Sequence, residues 1–198
     1  AWIAAGHRQL ETFKEDFLTG RPPLVTEQHF KMAIEEIKKS GDLDLLGRAW
    51  LTRIALRAAT LEEIAAGEYG KIDAAAAVPA NRNFYLFLTG TSDQADEALL
   101  PGQYRLFQKA LRNGDAGTVV GRVLEIDDPL SRLIAASLAV RRGPENEPLL
   151  QSAVETASQN GWKRALIAWL ERLRLFYERS GEVAKAAMVR RRLDMIRN

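Results

Sequence analysis

The sequence contains no cysteine and only two histidines among its 198 residues. The absence of cysteine excludes disulfide bonds, thiolate catalysis and cysteine-based zinc sites within this chain. It leaves the redox environment of the protein open. Long apolar runs are also lacking: the clearest, at residues 74–78 and 84–88, are far shorter than the ~20 residues needed to span a bilayer. The sequence therefore predicts no transmembrane segment.

Neither sign of charge is in large excess, since 28 basic and 26 acidic residues leave a formal net charge of only +2. This balance gives no reason to expect binding to nucleic acid. The charges are unevenly placed, however. Residues 162–198 contain ten Lys or Arg and four Asp or Glu, whereas the rest of the chain is mildly acidic. The sequence predicts a basic C-terminal end on an acidic body.

Helical periodicity is the strongest pattern that is present. Apolar residues recur at steps of three and four, and Gly or Pro residues interrupt them at short intervals. The pattern predicts a single all-α domain, residues 1–198, of about nine or ten short antiparallel helices. A stack of helical hairpins and an irregular or orthogonal bundle both fit. The apolar run at 84–88 is interpreted as a buried helix, because no second convincing strand exists to pair with it.

Some residues indicate where the helices begin. Asp42 and Asp128 are predicted N-caps, since aspartate side chains accept hydrogen bonds from the free N–H groups of a first turn. The Pro22 and Pro23 pair is expected to stop the first helix. The second helix is then expected to start at Thr26.

Other residues indicate where helices end. The third helix is expected to continue from its cap to near residues 66–67, with Leu61 on its apolar stripe. Gly143 and Pro144 are expected to end the helix that follows Asp128. These stops predict turns of only a few residues between neighbouring helices.

The final predicted hairpin resembles one degenerate tetratricopeptide repeat. Its residues at the repeat's packing positions are Leu173, Tyr177 and Ala186. Arg174 and Arg190 stand where the repeat has a small residue and an aromatic residue. No sustained period of about 34 residues is visible elsewhere in the chain.

Several segments together resemble an uncharacterised family of proteobacterial lipoproteins. They are LETF at 10–13, FLTG at 17–20, GRAWLTR at 47–53, residues 85–90, DPLSRL at 128–133 and ASQNGWKR at 157–164. These segments consist of packing and turn residues, so the resemblance implies export and a helical fold but no activity. Because the chain begins with Ala1 rather than Met, we expect a preceding N-terminal segment. The resemblance implies that this segment carries a lipid anchor, for peripheral attachment to a membrane.

Residues able to carry out chemistry are few. His7 and His29 lie on different predicted helices, and no acidic residue stands at a spacing that would recruit both to a metal ion. No glycine-rich phosphate loop or nucleophile motif is complete, so the sequence predicts no cofactor and no metal.

The most distinctive surface feature is a group of basic residues on the last predicted helix. These residues are Lys185, Arg190, Arg191, Arg192 and Arg197. A solvated helix end, favoured by the helix dipole and by local ion pairs, explains them without a partner. The alternative is a surface for an anionic partner such as an acidic protein, lipid headgroups or a cell-wall polymer.

The leading functional hypothesis is a non-enzymatic, periplasmic or membrane-anchored scaffold that binds another protein between helical hairpins. An enzyme or accessory factor of cell-envelope metabolism is the alternative, with acidic residues brought together from distant helices. A cytoplasmic regulator that binds nucleic acid through the basic end is a third hypothesis. The acidic body and the absence of a recognition-helix pattern weigh against it.

Overall fold

The computed structural model describes residues 2–90, 94–143 and 145–198. Within these ranges the chain forms eleven α-helices, one short 3-10 helix and no strand, so the predicted all-α fold is confirmed. The helices are α1 (Trp2–Thr19), α2 (Pro23–Lys38), α3 (Leu43–Ala59), α4 (Gly67–Ala75), α5 (Pro79–Leu88), the 3-10 helix (Glu97–Leu99), α6 (Gly102–Asn113), α7 (Ala116–Leu124), α8 (Pro129–Arg142), α9 (Glu147–Gln159), α10 (Lys163–Arg179) and α11 (Val183–Arg197). The run at 84–88 is helical, as predicted, and lies in α5.

Aspartate side chains cap several helices. The Asp42 carboxylate accepts hydrogen bonds from the N–H groups of Asp44 and Leu45 at the start of α3. Asp128 accepts one from the N–H of Ser131 at the start of α8. Both predicted caps are confirmed, and each satisfies backbone donors that have no partner within the helix.

The predicted start of the second helix is wrong. The helix α2 begins at Pro23, one turn before Thr26. Proline suits a first helical position because the N–H that it lacks would have no partner there. The hydroxyl of Thr26 instead donates to the carbonyl of Pro22 (3.3 Å).

The third helix ends at Ala59, well before residues 66–67. The next residues turn the chain, because Leu61 adopts a left-handed conformation (φ +59°) and the Glu62 N–H donates to the Arg57 carbonyl (2.8 Å). Such a turn ordinarily contains glycine, so no residue type at this point predicts it. The other predicted stop has Gly143 at the end of α8 with a φ of +125°, while Pro144 lies outside the described residues.

Helix α10, near the C-terminus, contacts the N-terminal helices α1 and α3. The indole N–H of Trp169, which is fully buried, donates to the carbonyl of Ala59 at the end of α3 (2.9 Å). The Arg164 guanidinium donates to the Glu62 carboxylate (2.7 Å) and lies over the ring of Phe17 in α1 (3.8 Å to the ring centre). Helix α10 therefore packs on α1 as well as on its neighbours α9 and α11.

Replacing Arg164 by alanine is expected to lower the free energy of unfolding by about 1–2 kcal/mol. The substitution removes the ion pair with Glu62 and the cation–π contact with Phe17. Urea denaturation measures the change. The control is Arg191→Ala, which removes an exposed arginine without an ion pair in the described part of the chain and is expected to change stability by less than about 0.5 kcal/mol. Equal losses in both variants would contradict this role for Arg164.

Helices α10 and α11 form the final hairpin, for which the sequence predicted a repeat-like packing. The predicted packing residues Leu173, Tyr177 and Ala186 are all buried. Arg174 and Arg190 both donate to the Glu178 carboxylate (2.7 and 2.9 Å). An ion-pair network thus holds one edge of this hairpin where a repeat would use apolar contacts.

None of the helices in the described ranges combines the length and the hydrophobicity that crossing a membrane requires. The interior is a continuous apolar core to which helices from both ends of the chain contribute.

Candidate functional site

All five basic residues of the predicted surface lie on α11, and the structure divides them into two groups. Arg190 pairs with Glu178 (2.9 Å) and Arg197 with Glu171 (2.5 Å), both on α10. Lys185 lies 3.3 Å from the Glu147 carboxylate at the start of α9. These three cations are used to pack α11 against the rest of the chain.

Arg191 and Arg192 form the second group. Both are exposed, and neither makes an ion pair or side-chain hydrogen bond with another described residue. Of the five basic residues predicted to bind an anionic partner, two therefore have no partner among the described residues.

Arg192 borders a groove between α9 and α11. We call it the C-terminal groove, and its volume is about 310 Å³. Its floor comes from α10 and its two walls from α9 and α11. The lining residues are Gln151, Val154 and Glu155 of α9, Leu173 and Tyr177 of α10, and Lys185, Met188, Val189 and Arg192 of α11. An apolar floor with charged residues at its rim is the usual composition of a protein-binding surface.

Two of the three methionines of the chain lie on α11. The chain has three methionines, and all are at the surface: Met32 is 43% exposed, Met188 63% and Met195 81%. Met188 lies in the groove wall, and Met195 lies two turns further along α11. Exposed methionines are unusual in a monomeric surface but common at binding surfaces, because the flexible thioether side chain adapts to a partner.

A hydrogen-bonded cluster fixes one end of the groove. The Glu147 Oε1 atom accepts hydrogen bonds from the Tyr177 hydroxyl (2.7 Å), the Gln151 amide (3.0 Å) and the Lys185 ammonium group (3.3 Å). The hydrogen bond from Tyr177, assisted by Lys185, lowers the pKa of Glu147. Burial and then Glu147 raise the pKa of Tyr177, and Glu147 raises that of Lys185.

The directions of these pKa shifts determine the protonation states of the cluster near neutral pH. Glu147 stays ionised, Lys185 stays protonated and Tyr177 keeps its proton. A general acid or base works best with a pKa close to the ambient pH, and each group here is moved away from it. The cluster is therefore suited to holding the groove wall and presenting fixed charge.

The packing of α9 against α10 and α11 is expected to contribute a pH-dependent part of the free energy of unfolding. Because the pKa of Glu147 is lowered in the folded state, its contribution is fully present above the ordinary glutamate value of 4.5 and is lost as the pH falls through the lowered value. We expect the urea midpoint to drop in this acidic range. Glu147→Gln removes the titrating group, so part of the drop should disappear. An acid profile identical to that of the unaltered chain would contradict the assignment.

The two histidines do not form a common site. His7 is exposed on α1, whereas the imidazole of His29 on α2 lies 2.8 Å from the Asp16 carboxylate. Within the described ranges no group of three or more His, Cys, Asp or Glu side chains is arranged to hold a metal ion.

A larger groove of about 650 Å³ lies between α1 and α2. Its three glutamates all have basic partners within the chain: Glu27 pairs with Arg53, Glu35 with Lys38 and Glu36 with Lys39. Its acidic charges are thus satisfied internally.

Lys31 in the α1–α2 groove is exposed and has no ion-pair partner among the described residues, as Arg192 has none in the C-terminal groove. The α1–α2 groove is lined by three acidic residues and one basic residue, whereas the C-terminal groove is lined by two basic residues and one acidic residue. The C-terminal groove is therefore the better candidate for an anionic partner.

Sequence reasoning missed the α9 side of the C-terminal groove. Glu147, Gln151 and Val154 belong to a helix that is separated from α11 by the whole of α10. No spacing rule links residues across an intervening helix. The available signal was Met188 and Met195, which are seven residues apart and have arginines between them.

No protein family model, curated protein or solved structure matches this chain. The resemblance to a lipoprotein family stays a prediction, and so does the envelope location that it implies. The candidate site is the C-terminal groove together with Arg191 and Arg192 on α11.

Proposed function

We propose that this chain is a non-enzymatic scaffold of the bacterial cell envelope that binds an acidic, partly apolar segment of another protein in the C-terminal groove. The observation that carries the proposal is the combination of an apolar floor, the exposed Met188 and the unpaired Arg192 at the rim. Arginine and methionine are both enriched in protein interfaces.

The chemistry of the groove defines the partner. Its apolar floor, formed by Leu173 and Tyr177, and the exposed Met188 in its wall offer contacts to hydrophobic side chains of the partner. Arg191 and Arg192 add two charges that no described residue neutralises, so the partner carries Asp or Glu beside its apolar residues. Complementary charge of this kind raises the association rate and excludes basic competitors.

The envelope location rests on the resemblance described above and on its implied N-terminal lipid anchor. Peripheral attachment through such an anchor needs no spanning helix. Mass spectrometry of the natively processed N-terminus, together with fractionation, tests this part. An acylated N-terminus in the envelope fraction is expected, and an unprocessed chain in the cytoplasmic fraction would overturn it.

Affinity capture with a charge-matched pair of variants tests the binding function. Arg191→Glu with Arg192→Glu reverses the charge of Arg192 at the groove rim and of its exposed neighbour on α11, neither of which has a partner among the described residues. Arg8→Glu with Lys109→Glu makes the same change of charge on α1 and α6, outside both grooves, where neither side chain has a partner in the described part of the chain. We expect a reproducible acidic partner to be lost from the first variant and kept by the second. Equal retention by both variants would overturn the proposal.

A further inference from the structure

A third cavity lies between α3 and the segment that leads into α4. Its α3 wall consists of Trp50, Arg53, Ile54 and Arg57, which recur at steps of three and four and so share one face of the helix. Residues 65–68 close the opposite side, and the volume is about 330 Å³. We call it the α3–α4 pocket. It shares no lining residue with the C-terminal groove.

Arg57 is the one charged side chain lining the α3–α4 pocket that has no partner among the described residues. Arg53 pairs with Glu27 of α2 (2.9 Å), and Glu68 pairs with Lys71 (2.5 Å). Arg57 is half-buried, and its guanidinium makes no hydrogen bond or ion pair with any described residue. A guanidinium in this position loses part of its hydration without receiving an acceptor in return.

The rest of the α3 wall is a fixed apolar surface. Trp50 is half-buried and meets the ring of Phe30 edge-on, with 4.8 Å between the ring centres. The guanidinium of Arg53 lies 5.7 Å from the centre of the Trp50 ring. Ile54 beside them is buried. The indole is therefore held in place before any ligand arrives, which limits the entropy that binding would cost.

We propose that the α3–α4 pocket binds a small organic monocarboxylate that carries an aromatic or branched apolar group. The planar fork of Arg57 donates paired N–H groups to the carboxylate. The apolar group lies against Trp50 and Ile54. A monoanion matches the single unneutralised charge, whereas a phosphate dianion would keep a negative charge in the pocket. The volume is at the lower end of the range for small-molecule sites.

The test is a titration of the full chain with benzoate at millimolar concentrations, followed through the indole N–H resonances of its tryptophans. Trp50→Phe identifies the Trp50 resonance. We expect benzoate to shift this resonance in a saturable way. Neutral benzamide and inorganic phosphate should leave it unchanged, because each lacks one half of the required ligand.

Two arginine variants distinguish benzoate binding in the α3–α4 pocket from nonspecific attraction to positive charge. Arg57→Gln is expected to weaken benzoate binding by about tenfold or more. Arg8→Gln removes an exposed arginine without a partner in the described part of the chain and should leave the affinity unchanged. The proposal is overturned if benzoate leaves the Trp50 resonance in place, if phosphate or benzamide binds equally well, or if both variants behave alike. None of these outcomes depends on the C-terminal groove.

Discussion

Replacing Trp169 by alanine is expected to lower the free energy of unfolding by about 3–5 kcal/mol, the usual loss when a fully buried aromatic side chain is truncated. Trp169 is completely inaccessible to solvent, and its indole N–H donates to the Ala59 carbonyl (2.9 Å). The alanine variant loses this hydrogen bond and the packing between α10 and α3. Chemical denaturation monitored by circular dichroism measures the change.

Two further variants separate the contributions. Trp169→Phe keeps an aromatic ring but leaves the carbonyl of Ala59 without its donor, so we expect a loss of about 1–3 kcal/mol. Leu175→Ala removes an apolar side chain that is 41% exposed on the same helix and should cost less than about 1 kcal/mol. If Trp169→Ala costs no more than Leu175→Ala, the junction between α3 and α10 does not hold the fold together.

The second large effect is expected on binding of the partner. Met188→Asp is expected to weaken binding by about 100-fold or more, because it places a carboxylate in the apolar wall of the groove and opposes the acidic partner. Met195→Asp introduces the same charge on the same helix, outside the groove lining. It should change the affinity far less. Titration of the purified chain with the captured partner measures both values.

This pair of methionine variants distinguishes the groove from the exposed face of α11. If the two substitutions weaken binding equally, the partner contacts the helix face and the groove is not its site. If neither weakens binding, the partner binds elsewhere on the chain. Thermal unfolding of both variants controls for stability, and little change is expected because both side chains are largely exposed.

The helical fold was predictable because its determinants are local. Aspartate caps such as Asp42 and Asp128 act within one turn, and the apolar periodicity indicates which face of each helix is buried. The predicted helix boundaries were wrong where the residue type at the boundary is compatible with more than one local structure. Proline both ends and begins helices, so Pro23 was interpreted as a stop although it starts α2. Leu61 stands where glycine is the usual signal.

The candidate site was predictable only in part because it depends on tertiary pairing. The charge pattern indicated the basic residues of α11 but not which of them have partners. Glu171 and Glu178 lie on α10, and only the packing of that helix against α11 shows that they neutralise Arg197 and Arg190. The arginine that remains at the groove rim, Arg192, differs from them by its position around the helix.

Site-specific photo-crosslinking in the native cell tests whether a partner protein binds in the C-terminal groove. A photoreactive amino acid replaces Met188 in the groove wall, and in a matched strain it replaces Leu124, which is 41% exposed on α7 and outside the groove. We expect a covalent adduct from position 188 alone, attached to a partner segment that contains acidic and apolar residues. An adduct from position 124 alone, or none from position 188, would contradict it.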